Sequence, residues 1–120
     1  MVFVMNLLLV LCTFPNQEVA RQIGTTLVEA QLAACVNLCP NIESIYRWEG
    51  KVERAGEVLG IFKTAPSAFP HFERRLVELH PYEVPEIIAL RPESAAAAYA
   101  AWVLNETTQN RCTPSQNLNP

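Results

Sequence analysis

The spacing of apolar positions changes repeatedly along this chain, and each change marks the edge of an element. Residues 2–13 are a near-continuous apolar run rich in Val and Leu, interrupted by Asn6. That is the pattern of a strand buried on both faces. Pro15-Asn16 ends it. Over residues 17–33, Val19, Ile23, Leu27 and Ala30 recur at helical spacing, opposite Glu18, Arg21, Gln22 and Glu29, which predicts an amphipathic helix. Residues 34–39 then read as strand. Pro40-Asn41 bends or bulges it, because proline cannot donate to a ladder.

Residues 42–48 alternate, with Ile42, Ser44, Tyr46 and Trp48 on one face and Glu43, Ile45 and Arg47 on the other. Glu49-Gly50-Lys51 predicts a turn in which Gly50 takes positive φ. The return strand spans 52–64, and its Val58–Phe62 core is again apolar on both faces, so the pair makes one long hairpin. A second helix is predicted over 67–79, with Phe69, Phe72, Leu76 and Leu79 on one side and Pro70 in its first turn, where a missing N–H costs nothing. Residues 86–91 form a short strand closed by Pro92. Glu93-Ser94 opens a third helix with Ala95, Tyr99, Trp102 and Val103 facing inward.

The order β-α-β-β-α-β-α defines an α+β fold, the ferredoxin-like split βαβ sandwich with a long β2-β3 hairpin and an added C-terminal helix. It places one domain over residues 1–106. The polar stretch 107–120, which contains Cys112, is expected to be a disordered tail. In this plan both main helices cover one face of the sheet. Yet the runs 2–13 and 52–64 are apolar on both faces, so the open face needs a cover. Self-association is the simplest one.

Composition narrows the classes. A chain of 120 residues, 50% hydrophobic, suits one domain with its own core. A net charge of −3 with mixed signs argues against a nucleic-acid partner. The apolar N-terminal run has no Lys or Arg before Arg21, a Leu rather than a small residue before Cys12, and too little length to span a bilayer. A buried first strand, and no membrane partner, is therefore the expectation. The cysteines at 12, 35, 39 and 112 form no C-x-x-C pair. Cys35 and Cys39 share strand parity but lie too far apart along a strand for a disulfide. Buried thiols in a reducing, cytoplasmic setting are expected.

The densest chemistry is His80-Pro81-Tyr82-Glu83-Val84-Pro85-Glu86. Pro81 forces His80 out of the helical region, and Pro85 holds Val84 extended, so an imidazole and a carboxylate sit on a stiff segment. Stiffness suits a polydentate site, and equally a plain helix-to-strand corner. Residue by residue, core packing accounts for Cys12, a helix C-terminal contact for His80 and a surface ion pair for Glu86. Tyr46, Trp48, Tyr82 and Trp102 suit a subunit interface or a cleft between subunits. Lys51 is expected in solvent, and Lys63 against a carboxylate or an anion. No activated nucleophile or Gly-rich phosphate loop is present, so an enzyme is the least supported class.

With these motifs in order, the chain resembles the CutA family of divalent-cation tolerance proteins. The resemblance rests on Leu11-Cys12-Thr13, Leu32-Ala33-Ala34-Cys35-Val36-Asn37, Tyr46-Arg47-Trp48-Glu49-Gly50-Lys51, Lys63-Thr64, the His80–Glu86 segment and the Tyr99/Trp102 pair. It covers roughly residues 4–106. It implies a homotrimer of ferredoxin-like subunits, similar in architecture to the PII signalling proteins, with the long hairpin reaching a neighbour. It also implies binding of copper, with zinc and other divalent ions as alternatives, by Cys12, His80 and Glu86. Asn41 departs from the Gly the family commonly has after this proline; Asn tolerates the left-handed region, so the bend should survive. The implied function is metal tolerance by sequestration or sensing. The alternative is a PII-like regulatory or scaffold trimer that takes a small anion or a partner loop.

Overall fold

Four strands and three helices follow one another as β1 (Leu8–Phe14), α1 (Gln17–Glu29), β2 (Cys35–Trp48), β3 (Lys51–Thr64), α2 (Phe69–Leu79), β4 (Ile88–Leu90) and α3 (Ala97–Glu106). The computed structural model describes residues 7–107. The expected start of the first strand at residues 2–6, the expected tail and Cys112 lie outside the described residues. The strands form one sheet in the order β2-β3-β1-β4, every neighbouring pair antiparallel. This is the α+β arrangement the pattern predicts.

Alternation along the central strands sorts the core. Val10, Cys12 and Phe14 of β1 and Val58 and Phe62 of β3 point to the side covered by α1 and α2, where they meet Ile23, Leu27, Phe72 and Leu76. Phe62 packs edge-on against Phe72 with ring centroids 5.1 Å apart. Gly60 lies directly across from Cys12. A Cβ there would come within 2.9 Å of the Phe14 ring, so the absent side chain is what admits Phe14. On the opposite face, α3 lays Ala100 and Val103 over Leu7, Leu9 and Ala34.

Several boundaries shift from expectation for local reasons. α1 stops at Glu29, four residues early, in a Schellman closure. Gln31 N–H donates to the Val28 carbonyl, Leu32 N–H to that of Leu27, and Gln31 takes φ 61°. This motif usually carries glycine at the left-handed position, and here the sequence offers none. α2 begins at Phe69 rather than 67, with Pro70 in its first turn, and its C-cap His80 is extended at φ −76°, ψ 136°. β4 pairs only over Ile88–Leu90, so Glu86 precedes the strand. α3 starts at Ala97, and Tyr99 and Trp102 stay 40% and 43% exposed, because Ala100 and Val103 form the face that packs.

The hairpin dominates the molecule's shape. Strands of 14 residues at about 3.3 Å per residue reach about 46 Å, close to the 49 Å long axis. Asn41, at φ 63°, sits in a bulge between Cys39 and Ile42 that adds one residue to β2. Glu49 and Gly50, at φ 50° and 82°, close the tip in a two-residue loop flanked by the Trp48–Lys51 pair.

Candidate functional site

The segment between α2 and β4 leaves the helix at His80 and runs to the strand that pairs with β1. His80 is 7% exposed. Its Nε2–H donates to the Thr13 carbonyl at 2.8 Å, while its Nδ1 accepts from the Tyr82 N–H at 3.1 Å. Those partners fix the neutral Nε2–H tautomer. The ring stacks on Phe14 at 5.1 Å and lies against Tyr82 at 4.7 Å. Burial lowers its pKa, opposed by the bond to Thr13 and by the charge of Glu57.

Cys12 reaches the same carbonyl, its Sγ 3.7 Å from Thr13 O. The thiol is fully buried. Burial first, then the charges of Glu86 and Glu57, raise its pKa to about 12, so it is protonated at neutral pH. Cys12, His80 and Glu86 therefore share one corner of the fold. They do not converge: among the described residues, no three His, Cys, Asp or Glu side chains are arranged to hold a metal ion. A metal entering this corner meets an imidazole with both nitrogens engaged and a thiol that keeps its proton.

Beside this corner opens a cleft of about 690 Å³. One wall is the hairpin, with Ser44, Tyr46, Trp48 and Glu57. The other is the 81–86 segment, with Tyr82, Glu83 and Glu86, and Thr13 lies between them. The Tyr82 hydroxyl donates to Glu57 Oε2 and ties the two walls together. Burial, and then that carboxylate, push the Tyr82 pKa well above its ordinary value. The lining holds three carboxylates and no basic side chain.

Sequence reasoning gave Tyr46, Trp48 and Tyr82 to a subunit interface or a cleft between subunits; in the structure all three line this cleft of a single chain. Trp102 does not; it packs with Tyr99 on α3, ring centroids 5.7 Å apart. Lys63 meets the Asn37 side-chain oxygen instead of a carboxylate or an anion. Lys51 is exposed, as expected. Glu57 and its bond to Tyr82 were missed. The available signal was a carboxylate directly before the apolar Val58–Phe62 run.

Fold and site together define a ferredoxin-like protein with an extended hairpin and an acidic, aromatic cleft between that hairpin and the 81–86 segment. The chain belongs to the CutA1 divalent ion tolerance protein family, whose model matches residues 8–106. It is 48% identical over 98 residues to the divalent-cation tolerance protein CutA of Thermus thermophilus, a match covering 82% of this chain and 95% of that one. It is 47% identical over 95 residues to protein CutA of Homo sapiens, covering 79% of this chain and 53% of that protein. Among solved structures, the Cut A1 divalent cation tolerance protein from Thermus thermophilus matches with a TM-score of 0.82 at 46% identity, covering 84% of this chain and 98% of that one. CutA1 from Oryza sativa matches with a TM-score of 0.82 at 37% identity, covering 87% and 97%.

Proposed function

We propose that this protein contributes to divalent-cation tolerance as a cytoplasmic homotrimer that senses metal, copper in preference to zinc, at the corner of Cys12, His80 and Glu86. Thiol, imidazole and carboxylate suit copper chemically. The observation that favours sensing over storage is the state of His80, whose two ring nitrogens are already bonded to Thr13 and Tyr82. A metal that takes either nitrogen displaces a hydrogen bond, and one that takes Cys12 must expel a firmly held proton. Uptake therefore breaks a hydrogen bond or expels a proton, and it moves the 80–86 segment. That coupling of occupancy to conformation is what a sensor needs. The trimer accounts for the apolar residues left on the open sheet face, and the free thiols of Cys12, Cys35 and Cys39 suit a reducing compartment. The scaffold alternative remains for a cleft without metal, but three lining carboxylates disfavour the small anion.

The test is native mass spectrometry of the reduced protein titrated with Cu(II) and then Zn(II), with the Tyr82 amide followed by NMR. A trimer should take one copper per chain, hold zinc more weakly and shift the Tyr82 amide. His80→Ala and Glu86→Gln should each lose affinity with assembly intact. A trimer that stays bare at micromolar copper would sink the metal reading and favour the scaffold.

A further inference from the structure

We propose that the Tyr82 hydroxyl and the Glu57 carboxylate form a latch that ties the order of the hairpin arm to the corner of Cys12, His80 and Glu86. The signal that works this latch rests on the metal reading proposed for that corner; the latch itself is a feature of the metal-free chain.

The register shows where the arm begins. β3 pairs with β1 from Thr64 opposite Leu8 to Val58 opposite Phe14. Beyond Val58, among the described residues, 51–57 pair with β2 alone. Glu57 is the first of them, and it pairs with Ile42, the first residue past the bulge. Residues 42–48 and 51–57 thus form a two-stranded ribbon, joined to the sheet at an irregular step. Such a ribbon is barely stable by itself in water, and a bulge bends the strand that carries it. The arm's angle therefore depends on what grips its base. Among the described residues, the side-chain hydrogen bond that joins this arm to the rest of the chain is the one from Tyr82 to Glu57. Both partners are half-buried, and a hydroxyl bonded to a carboxylate is among the stronger hydrogen bonds.

The other side of the latch is the corner. The Tyr82 N–H donates to His80 Nδ1, and the two rings lie 4.7 Å apart. His80 Nε2–H donates to the Thr13 carbonyl, which Cys12 Sγ also approaches. Thr13, His80, Tyr82 and Glu57 make an unbroken run of contacts from the buried thiol to the base of the arm. Coupling between distant parts travels through such packed and hydrogen-bonded runs. Whatever takes His80 Nδ1 displaces the Tyr82 amide, pulls on its hydroxyl and frees Glu57. By linkage, whatever holds the arm, a neighbouring chain included, changes the affinity of the corner by the same factor.

Hydrogen–deuterium exchange of the metal-free, full-length protein, read by mass spectrometry, tests the latch. Tyr82→Phe removes the hydroxyl and keeps the ring against His80. Amides of residues 42–57 should exchange about tenfold faster in this variant, while those of β1 and of residues 58–64 keep their wild-type rates. Glu57→Gln should speed the same amides, and the double variant should add little to either, since both changes act on one bond. Unchanged exchange in the arm would overturn the proposal. So would a rise shared by every strand, which marks general destabilisation, or effects that simply add. Copper bound to the wild type, with uptake counted by native mass spectrometry, should loosen the arm as Tyr82→Phe does and leave that variant's arm as it was. Copper that binds without moving the wild-type arm would overturn the tie between corner and arm. If no copper is taken up, the metal reading falls alone, and the metal-free comparison still decides the latch.

Discussion

His80 joins three parts of the chain through one ring: the end of α2, the Thr13 carbonyl of β1 and the Tyr82 amide of the following segment. Replacing it with Ala strands a buried carbonyl and an N–H, each worth about 1–3 kcal/mol. A loss of about 2–3 kcal/mol in urea unfolding is the expected outcome. The ring also sets a pH dependence. Burial lowers its folded pKa, whereas the unfolded ring protonates at its ordinary value of about 6.5. Between those values the unfolded chain binds more protons, so stability is complete above about 6.5 and falls as pH drops through it toward the folded pKa. Urea midpoints of metal-free protein across that range should show this decline, and His80→Gln should lack the His80 component. Part of this was legible: Pro81 dictates that His80 leaves the helix. Its partner Thr13 lies 67 positions upstream, and only strand register brings it near.

At the scale of elements, the backbone geometry of the turns decides what the hydrophobic pattern leaves open. The hairpin tip places Glu49 at φ 50° and Gly50 at φ 82°, the two left-handed residues of a type I′ loop. Glycine takes that conformation freely, and glutamate does not. Glu49→Asn should therefore raise stability by about 0.5–1 kcal/mol, read as an upward shift of the urea midpoint with unchanged slope. The hairpin was legible because alternation and Gly50 agree. The early end of α1 was not, since Gln31 adopts the left-handed turn without the glycine that would announce it.

At the scale of the molecule, the strand order leaves one sheet face half covered. α3 protects the end near Leu9, while Ile88 and Leu90 remain 47% and 45% exposed, paired with Leu11 and Leu9 of β1. The two-faced apolar runs made this imbalance readable before any coordinates. What the runs could not show was that Tyr99 and Trp102 would also lie outside, because the smaller Ala100 and Val103 fit the available gap. If three chains share this face, Leu90→Glu should lower the mass by sedimentation equilibrium from three chains to one, with the far-ultraviolet circular dichroism preserved. A wild-type monomer would refute the assembly directly.

The bulge at Asn41 works as a shift of reading frame. Before it, Cys35, Asn37 and Cys39 pair with Lys63, Ile61 and Leu59; after it, Ser44, Tyr46 and Trp48 pair with Ala55, Glu53 and Lys51. Paired residues share a face, so odd positions line the open side before the bulge and even ones after it. Excising Asn41 alone would restore a single frame and turn the outer half of β2 over. Glu43, Ile45 and Arg47 would then occupy the wall now made by Ser44, Tyr46 and Trp48. One residue that touches no ligand thus decides whether this wall of the cleft is aromatic or carries an arginine.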